Sequence, residues 1–158
     1  MQPYSQKYAV VSFLVPTEIG QTFHDDQWPV HVTIADVFAA PIVPEQILMA
    51  IAAEFHPILA AVLSETVLGA TPVMLVEKTD PLLALHEVLI DALEVAGVVF
   101  NVPEFTRAGF LPHTTIQRHG RVNEGDILTL GSLSLIDMFP GGDWQQRTII
   151  STHPLTST

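Results

Sequence analysis

The chain has 158 residues, 48% of them hydrophobic and 15% charged, with seventeen acidic side chains against six basic ones and a net charge of −11. That is ample apolar material for the core of one globular domain, and it excludes a disordered chain. The acidic balance repels polyanions and makes a long nucleic acid a poor partner, while the lack of cysteine removes disulfides and thiolate metal sites.

The opening segment, MQPYSQKYAVVSFLVP, has neither the basic start nor the small-residue cleavage site of a signal peptide. The longest apolar stretch, residues 57–76, is interrupted by Ser64, Glu65, Thr66 and Thr71 and does not read as a membrane span. A soluble cytoplasmic protein, monomeric and without a cofactor, is the expectation. Residues 8–16 are short, β-branched and apolar, and predict a buried strand. Residues 17–29 carry Gly20, Asp25, Asp26 and Pro29 and read as a loop. Residues 31–38 alternate as a strand, with Val32 and Ile34 on one face and His31 and Thr33 on the other.

Pro44 and Glu45 open a helix predicted over 43–59. Two strands, 62–69 and 71–78, follow with a tight connection at Gly69-Ala70. The strongest helix signal is 79–97: Asp80 as cap, Pro81 at the first position, Leu82, Leu85, Leu89 and Leu93 as a stripe, and Gly97 to close. A loop over 98–112 leads into a strand at 113–118. Residues 131–140 and 143–152 form a hairpin joined at Gly141-Gly142. The chain thus has an internal echo, each half holding strands, one helix and one His-x-Thr-Ile strand. No linker separates the halves, so residues 1–158 read as a single two-lobed domain.

The echo is chemical as well as architectural. HVTI at 31–34 and HTTI at 113–116 each place an imidazole and a hydroxyl on the same strand face, about 6–7 Å apart. Two such strands facing one pocket suit a phosphodiester. One neutral imidazole takes a proton from the attacking oxygen, and a protonated one gives a proton to the leaving oxygen. The threonine hydroxyls donate to the non-bridging oxygens, where charge builds up. A match of this length arises by chance at some rate, but two in one chain among seven histidines are a much rarer accident.

On these residues, HVTI at 31–34 and PHTTIQR at 112–118, the sequence resembles the two-histidine phosphoesterase superfamily, which includes 2′-5′ RNA ligase-like proteins and cyclic nucleotide phosphodiesterases. The run from PVMLVEKTDPLLALHEVLIDAL to GFLPHTTIQR and the closing GSLSLIDMFPGG extend the likeness over roughly residues 8–153. The resemblance implies an α+β fold, bilobal and pseudo-two-fold, with two antiparallel sheets lining a central groove and helices outside. It implies metal-independent hydrolysis of a small cyclic or 2′-5′-linked nucleotide, with His31 and His113 catalytic and Thr33, Thr115 and Arg118 binding phosphate. It also implies His113 as base and His31 as acid. Where many members carry a helix between the first strand and the first motif, this chain has only residues 17–30.

Two other function classes compete with the hydrolase: a nucleotide-binding module that does not hydrolyse, and an RNA end-processing or 2′-5′ ligase-type enzyme. A pure binder need not keep both proton-transfer groups, and an RNA enzyme needs a basic rim that six cations hardly furnish. His24, Asp25 and Asp26 invite a metal reading, yet the sequence supplies no closed ligand set around them, and a solvated loop is the expectation. His56, His86 and His153 read as structural, His119 as a rim residue and Trp144 as packing.

Overall fold

A computed structural model describes residues 6–117 and 120–156. Among these residues ten strands and two α-helices follow in the order β1 (Lys7–Phe13), β2 (Thr22–His24), β3 (His31–Ala39), α1 (Glu45–Ala52), β4 (Ile58–Leu68), β5 (Thr71–Val76), α2 (Asp80–Val95), β6 (Val99–Phe100), β7 (His113–Thr115), β8 (Ile127–Leu130), β9 (Ser132–Asp137) and β10 (Gln146–Pro154). They form an α+β fold of two antiparallel sheets, one ordered β2-β10-β9-β1-β3-β6 and the other β7-β5-β4-β8. The first His-x-Thr strand, β3, pairs with β1, and the second, β7, pairs with β5.

Every residue of strand β1 is buried because both of its faces are covered. Tyr8 and Val10 enter the main core, while Ala9, Val11 and Phe13 enter a smaller cluster on the opposite face of the six-stranded sheet. The main core joins Val32 and Ile34 of β3 to Ala60 and Met74 of the second sheet and to the inner faces of both helices. Helix α2 contributes the leucine stripe at Leu82, Leu85, Leu89 and Leu93, each of them fully buried. At roughly 1.5–3 kcal/mol per buried aliphatic side chain, that stripe anchors the helix against β3.

The boundaries differ from the sequence expectation for identifiable reasons. Helix α1 stops at Ala52 and does not reach 59, because Pro57 disfavours helical geometry at His56 and releases Ile58 into β4. Strand β4 therefore begins four residues before the predicted 62 and pairs first with β8, an element the sequence reading lacks. Thr79, not Asp80, caps α2: its hydroxyl accepts from the Leu82 backbone N–H at 3.2 Å. The expected loop 17–29 holds a three-residue strand, β2, that pairs with β10. Gly69, at φ +62°, opens the two-residue turn between β4 and β5, as a II′-type hairpin requires. Among the described residues no helix is long and apolar enough to cross a membrane.

Candidate active site

Strands β3 and β7 belong to different sheets but run within backbone contact of each other. Strict alternation at their starts turns Val32, Ile34 and the buried Thr114 inward. His31, Thr33, His113 and Thr115 are left half-buried on the other face. The two histidines are held in the same way. His31 donates Nδ1–H to the carbonyl of Pro29 at 2.8 Å, and His113 donates Nδ1–H to the carbonyl of Leu111 at 2.7 Å. A carbonyl oxygen can only accept, so both rings carry their proton on Nδ1 when neutral. Nε2 is then the nitrogen left free on each.

The surroundings of the two rings differ. His31 lies on the face of the smaller apolar cluster, with its ring centroid 4.5 Å from that of Trp28 and 6.0 Å from that of Phe13. Phe23 on β2 backs both aromatics. The ring keeps some contact with solvent, yet protein atoms surround it densely. Burial drives its pKa from 6.5 down to about 4, against the raising effect of the Pro29 carbonyl and with a further lowering from His113. Near neutral pH His31 is therefore an uncharged imidazole with its lone pair on Nε2.

Thr33, His113 and Thr115 line a cleft of about 660 Å³, a volume suited to a nucleotide-sized ligand. One wall is the β4–β5 turn at Val67, Leu68, Gly69 and Thr71, and the other is the loop carrying Phe105, Gly109, Phe110 and Leu111. His31 is not among the lining residues and sits beside the cleft, packed by its aromatic neighbours. The loop wall is tied down from behind. The fully buried His86 on α2 donates Nδ1–H to the Ile34 carbonyl at 2.6 Å and accepts the Arg107 backbone N–H on Nε2 at 2.9 Å. Phe110 stacks on the same ring at 3.9 Å. Both nitrogens are used, so the ring must be neutral, and burial lowers its pKa accordingly.

Arg107 is the one non-glycine residue with positive φ among the described residues, at +59°. The hydrogen bond to His86 and the guanidinium pairs with Asp91 and Glu94 on α2 hold it there. Gly109 closes the same loop so tightly that a Cβ would meet the Glu104 carbonyl oxygen at 1.7 Å. Gly109→Ala is expected to destabilise the fold by about 1–3 kcal/mol, as overpacking against backbone does. Thermal unfolding of the variant checks this, and an unchanged midpoint would mean that the loop can move aside.

The cleft thus gathers Thr33, His113 and Thr115, with His31 packed beside it, while Arg118 and the expected rim residue His119 lie outside the described residues. His24, Asp25 and Asp26 do converge, with carboxylates 2.9 and 2.6 Å from His24 Nδ1, on an exposed segment where they pair with one another. Trp144 lies against Phe139, ring centroids 3.9 Å apart, but is 54% exposed in the turn before β10 and not packed on a strand as expected. Sequence reasoning missed Phe13, Phe23 and Trp28 around His31, His86 behind the loop, and Asp36 and Phe105 in the cleft. The signal for Trp28 was its place three residues before His31, inside a segment set aside as loop.

No family model and no curated protein matches this sequence. Solved structures do match it along its length. A phosphoesterase aligns with a TM-score of 0.61 at 16% identity, covering 96% of this chain and 98% of that one. E. coli LigT complexed with NADP+ aligns at 0.60 and 15% identity, over 97% and 99% of the two chains. LigT complexed with 3′-AMP aligns at 0.58 and 14%, over 96% and 98%. The chain therefore has the LigT fold, the architecture that its two motifs anticipated.

Proposed function

We propose that this protein is a metal-independent phosphodiesterase that hydrolyses a small cyclic or 2′-5′-linked nucleotide in the groove between its two sheets. The observation that carries the reading is the matched tethering of His31 and His113. Each is locked through Nδ1–H to the carbonyl two residues earlier, so that Nε2 is the atom available for proton transfer. Structures of the same fold complexed with 3′-AMP and NADP+ support a nucleotide as the ligand class.

The chemistry is in-line displacement at phosphorus. A water oxygen attacks as His31 Nε2, neutral because of its burial, takes the proton that the water loses. The bond to the leaving ribose oxygen breaks, and His113, entering as the imidazolium, supplies that oxygen with a proton from Nε2. The product is a phosphomonoester, and solvent exchange resets both rings. Thr33 and Thr115 donate to the non-bridging oxygens, and Arg118 is assigned to the same phosphate. This reverses the acid and base roles that the family resemblance implied. An imidazole with a pKa of about 4 is a poor carrier of a proton at neutral pH and a ready acceptor of one.

The test is a panel of 2′,3′-cyclic phosphates and 2′-5′-linked dinucleotides, with and without chelator. The expected result is turnover of at least one of them at a rate that chelator leaves unchanged. Activity that disappears with chelator and returns with a divalent ion would overturn the mechanism, and tight binding without turnover would make the protein a binding module.

Length is the second arm of the panel. Of the six basic side chains, Lys7 is buried against Asn101, Arg107 pairs with Asp91 and Glu94, Arg121 reaches Glu65 at 3.4 Å, and Arg147 is spent on the carbonyls of Met138, Trp144 and Gln146. Few cations remain to displace counterions along a polynucleotide. Affinity is expected to level off or fall beyond a few nucleotides. Tightest binding by long RNA, weakening steeply with salt, would refute the small-substrate assignment.

A further inference from the structure

Thr33 and Thr115 make up only part of the cleft lining, and the rest of that lining differs from them in character. Apart from these threonines the described walls carry no lysine or arginine. They carry apolar surface, two phenylalanines and one carboxylate, Asp36. A second phosphate would find no counter-charge there. A flat, neutral ring system with N–H groups on its edge would find both a stacking surface and an acceptor.

Asp36 reaches this position through a distortion of the sheet. Continued alternation from His31 and Thr33 would send Ala35 and Val37 outward and turn Asp36 into the core. The β1–β3 ladder instead slips twice, between Val11↔Thr33 and Val10↔Ala35 and again before Tyr8↔Phe38. Ile34 and Ala35 are consequently both buried, and Asp36 comes out half-exposed into the cleft. Bulges of this kind re-aim a side chain beside a site. Its Oδ1 accepts the Val37 backbone N–H at 2.9 Å, which fixes the carboxylate and leaves Oδ2 without a hydrogen-bond partner among the described residues. Three strand steps at full rise would span about 10 Å and the bulges shorten this, so Asp36 lies within the span from a ribose phosphate to the far edge of its base. Phe105, which also lines the cleft, is 52% exposed although it is a large aromatic. The pinned loop around Arg107 and Gly109 holds it in the cleft wall.

Resting on the phosphodiesterase reading, we infer that this part of the cleft is a nucleobase subsite in which Phe105 stacks on the base and Asp36 selects the edge it presents. A carboxylate accepts hydrogen bonds and donates none. Guanine offers it a ring N–H beside an exocyclic amino group, adenine and cytosine offer an amino group alone, and uracil offers one ring N–H flanked by two carbonyl oxygens that repel it. The subsite therefore ranks guanine first and uracil last.

The experiment measures equilibrium binding of guanosine and uridine 3′-monophosphates, the free nucleosides guanosine and uridine, and inorganic phosphate, to the intact chain and to Asp36→Asn and Phe105→Ala. The intact chain is expected to prefer guanosine over uridine about tenfold or more, with or without the phosphate. Asp36→Asn should collapse that preference at least several-fold, mainly by improving uridine and weakening guanosine, and should leave inorganic phosphate binding unchanged. Phe105→Ala should weaken every nucleoside about tenfold, as loss of one stacking partner does, without touching inorganic phosphate. Equal binding of the two bases by the intact chain, or an unaltered ratio in Asp36→Asn, would overturn the inference. The free nucleosides keep this result separate from the phosphate chemistry. A chain that selects guanosine yet neither binds phosphate nor hydrolyses any ester would keep the base subsite and lose the phosphodiesterase.

Discussion

Replacing His31 or His113 by glutamine is expected to lower kcat by about 10²–10⁴-fold, with the larger part of the loss in kcat and the smaller in KM. Each substitution removes one of two proton transfers at the same phosphorus, while the threonines, the cleft walls and the base subsite stay in place. Glutamine is the cleaner replacement at position 31, because alanine would leave a hole between Phe13 and Trp28 and confound activity with packing. The double variant should be little slower than the worse single one, since neither histidine accelerates the reaction much once the other transfer has failed. Single-turnover rates on a cyclic phosphate substrate, taken with thermal unfolding of each variant, check both statements. A folded single variant of full activity would remove the histidine pair from the mechanism.

The part of this site that was legible in the sequence is the part that obeys a simple period. His31 with Thr33, and His113 with Thr115, share strand faces because alternation holds over those few residues, and the two short motifs foretold the LigT fold. Three residues further along β3 the same rule gives the wrong face for Asp36. The double slip against β1 that turns it outward depends on how the strands pack and not on their composition. The aromatic enclosure of His31 was hidden for a related reason. Trp28 and Phe23 come from a segment rich in turn residues, and only the pairing of β2 with β10, far away in the sequence, places Phe23 beneath Trp28. His86 read correctly as structural from its helical position, but nothing local announces that its second nitrogen accepts from Arg107 and so fixes the cleft wall. Helix α1 was overextended because an apolar run cannot distinguish a helix from a buried strand, and the stop at Pro57 was passed over.

The enclosure of His31 sets the pH dependence. If His31 is the base, the acid limb of kcat/KM in the unliganded enzyme should fall near pH 4, not near the ordinary histidine value of 6.5. At pH 5 an imidazole with a pKa of 4 is about nine-tenths neutral and one with a pKa of 6.5 about 3% neutral, so the enclosure is worth about thirty-fold in active enzyme at that pH. The limb of kcat should lie higher than that of kcat/KM, because a bound phosphate anion favours the imidazolium. Trp28→Ala opens one side of the ring to water and should move the kcat/KM limb upward, towards 6.5, with little change above pH 7. The same shift is linked to stability. Between pH 6.5 and about 4 the unfolded chain binds a proton on His31 that the native chain does not, so the folded state loses up to about 3 kcal/mol as pH falls through that window. His31→Gln should flatten that part of the stability curve. If His31 were instead the acid, the kcat/KM profile would decline from pH 4 upward and leave about a thousandth of the enzyme correctly protonated at pH 7. A profile of that shape, or an acid limb that Trp28→Ala leaves in place, would return the base role to His113.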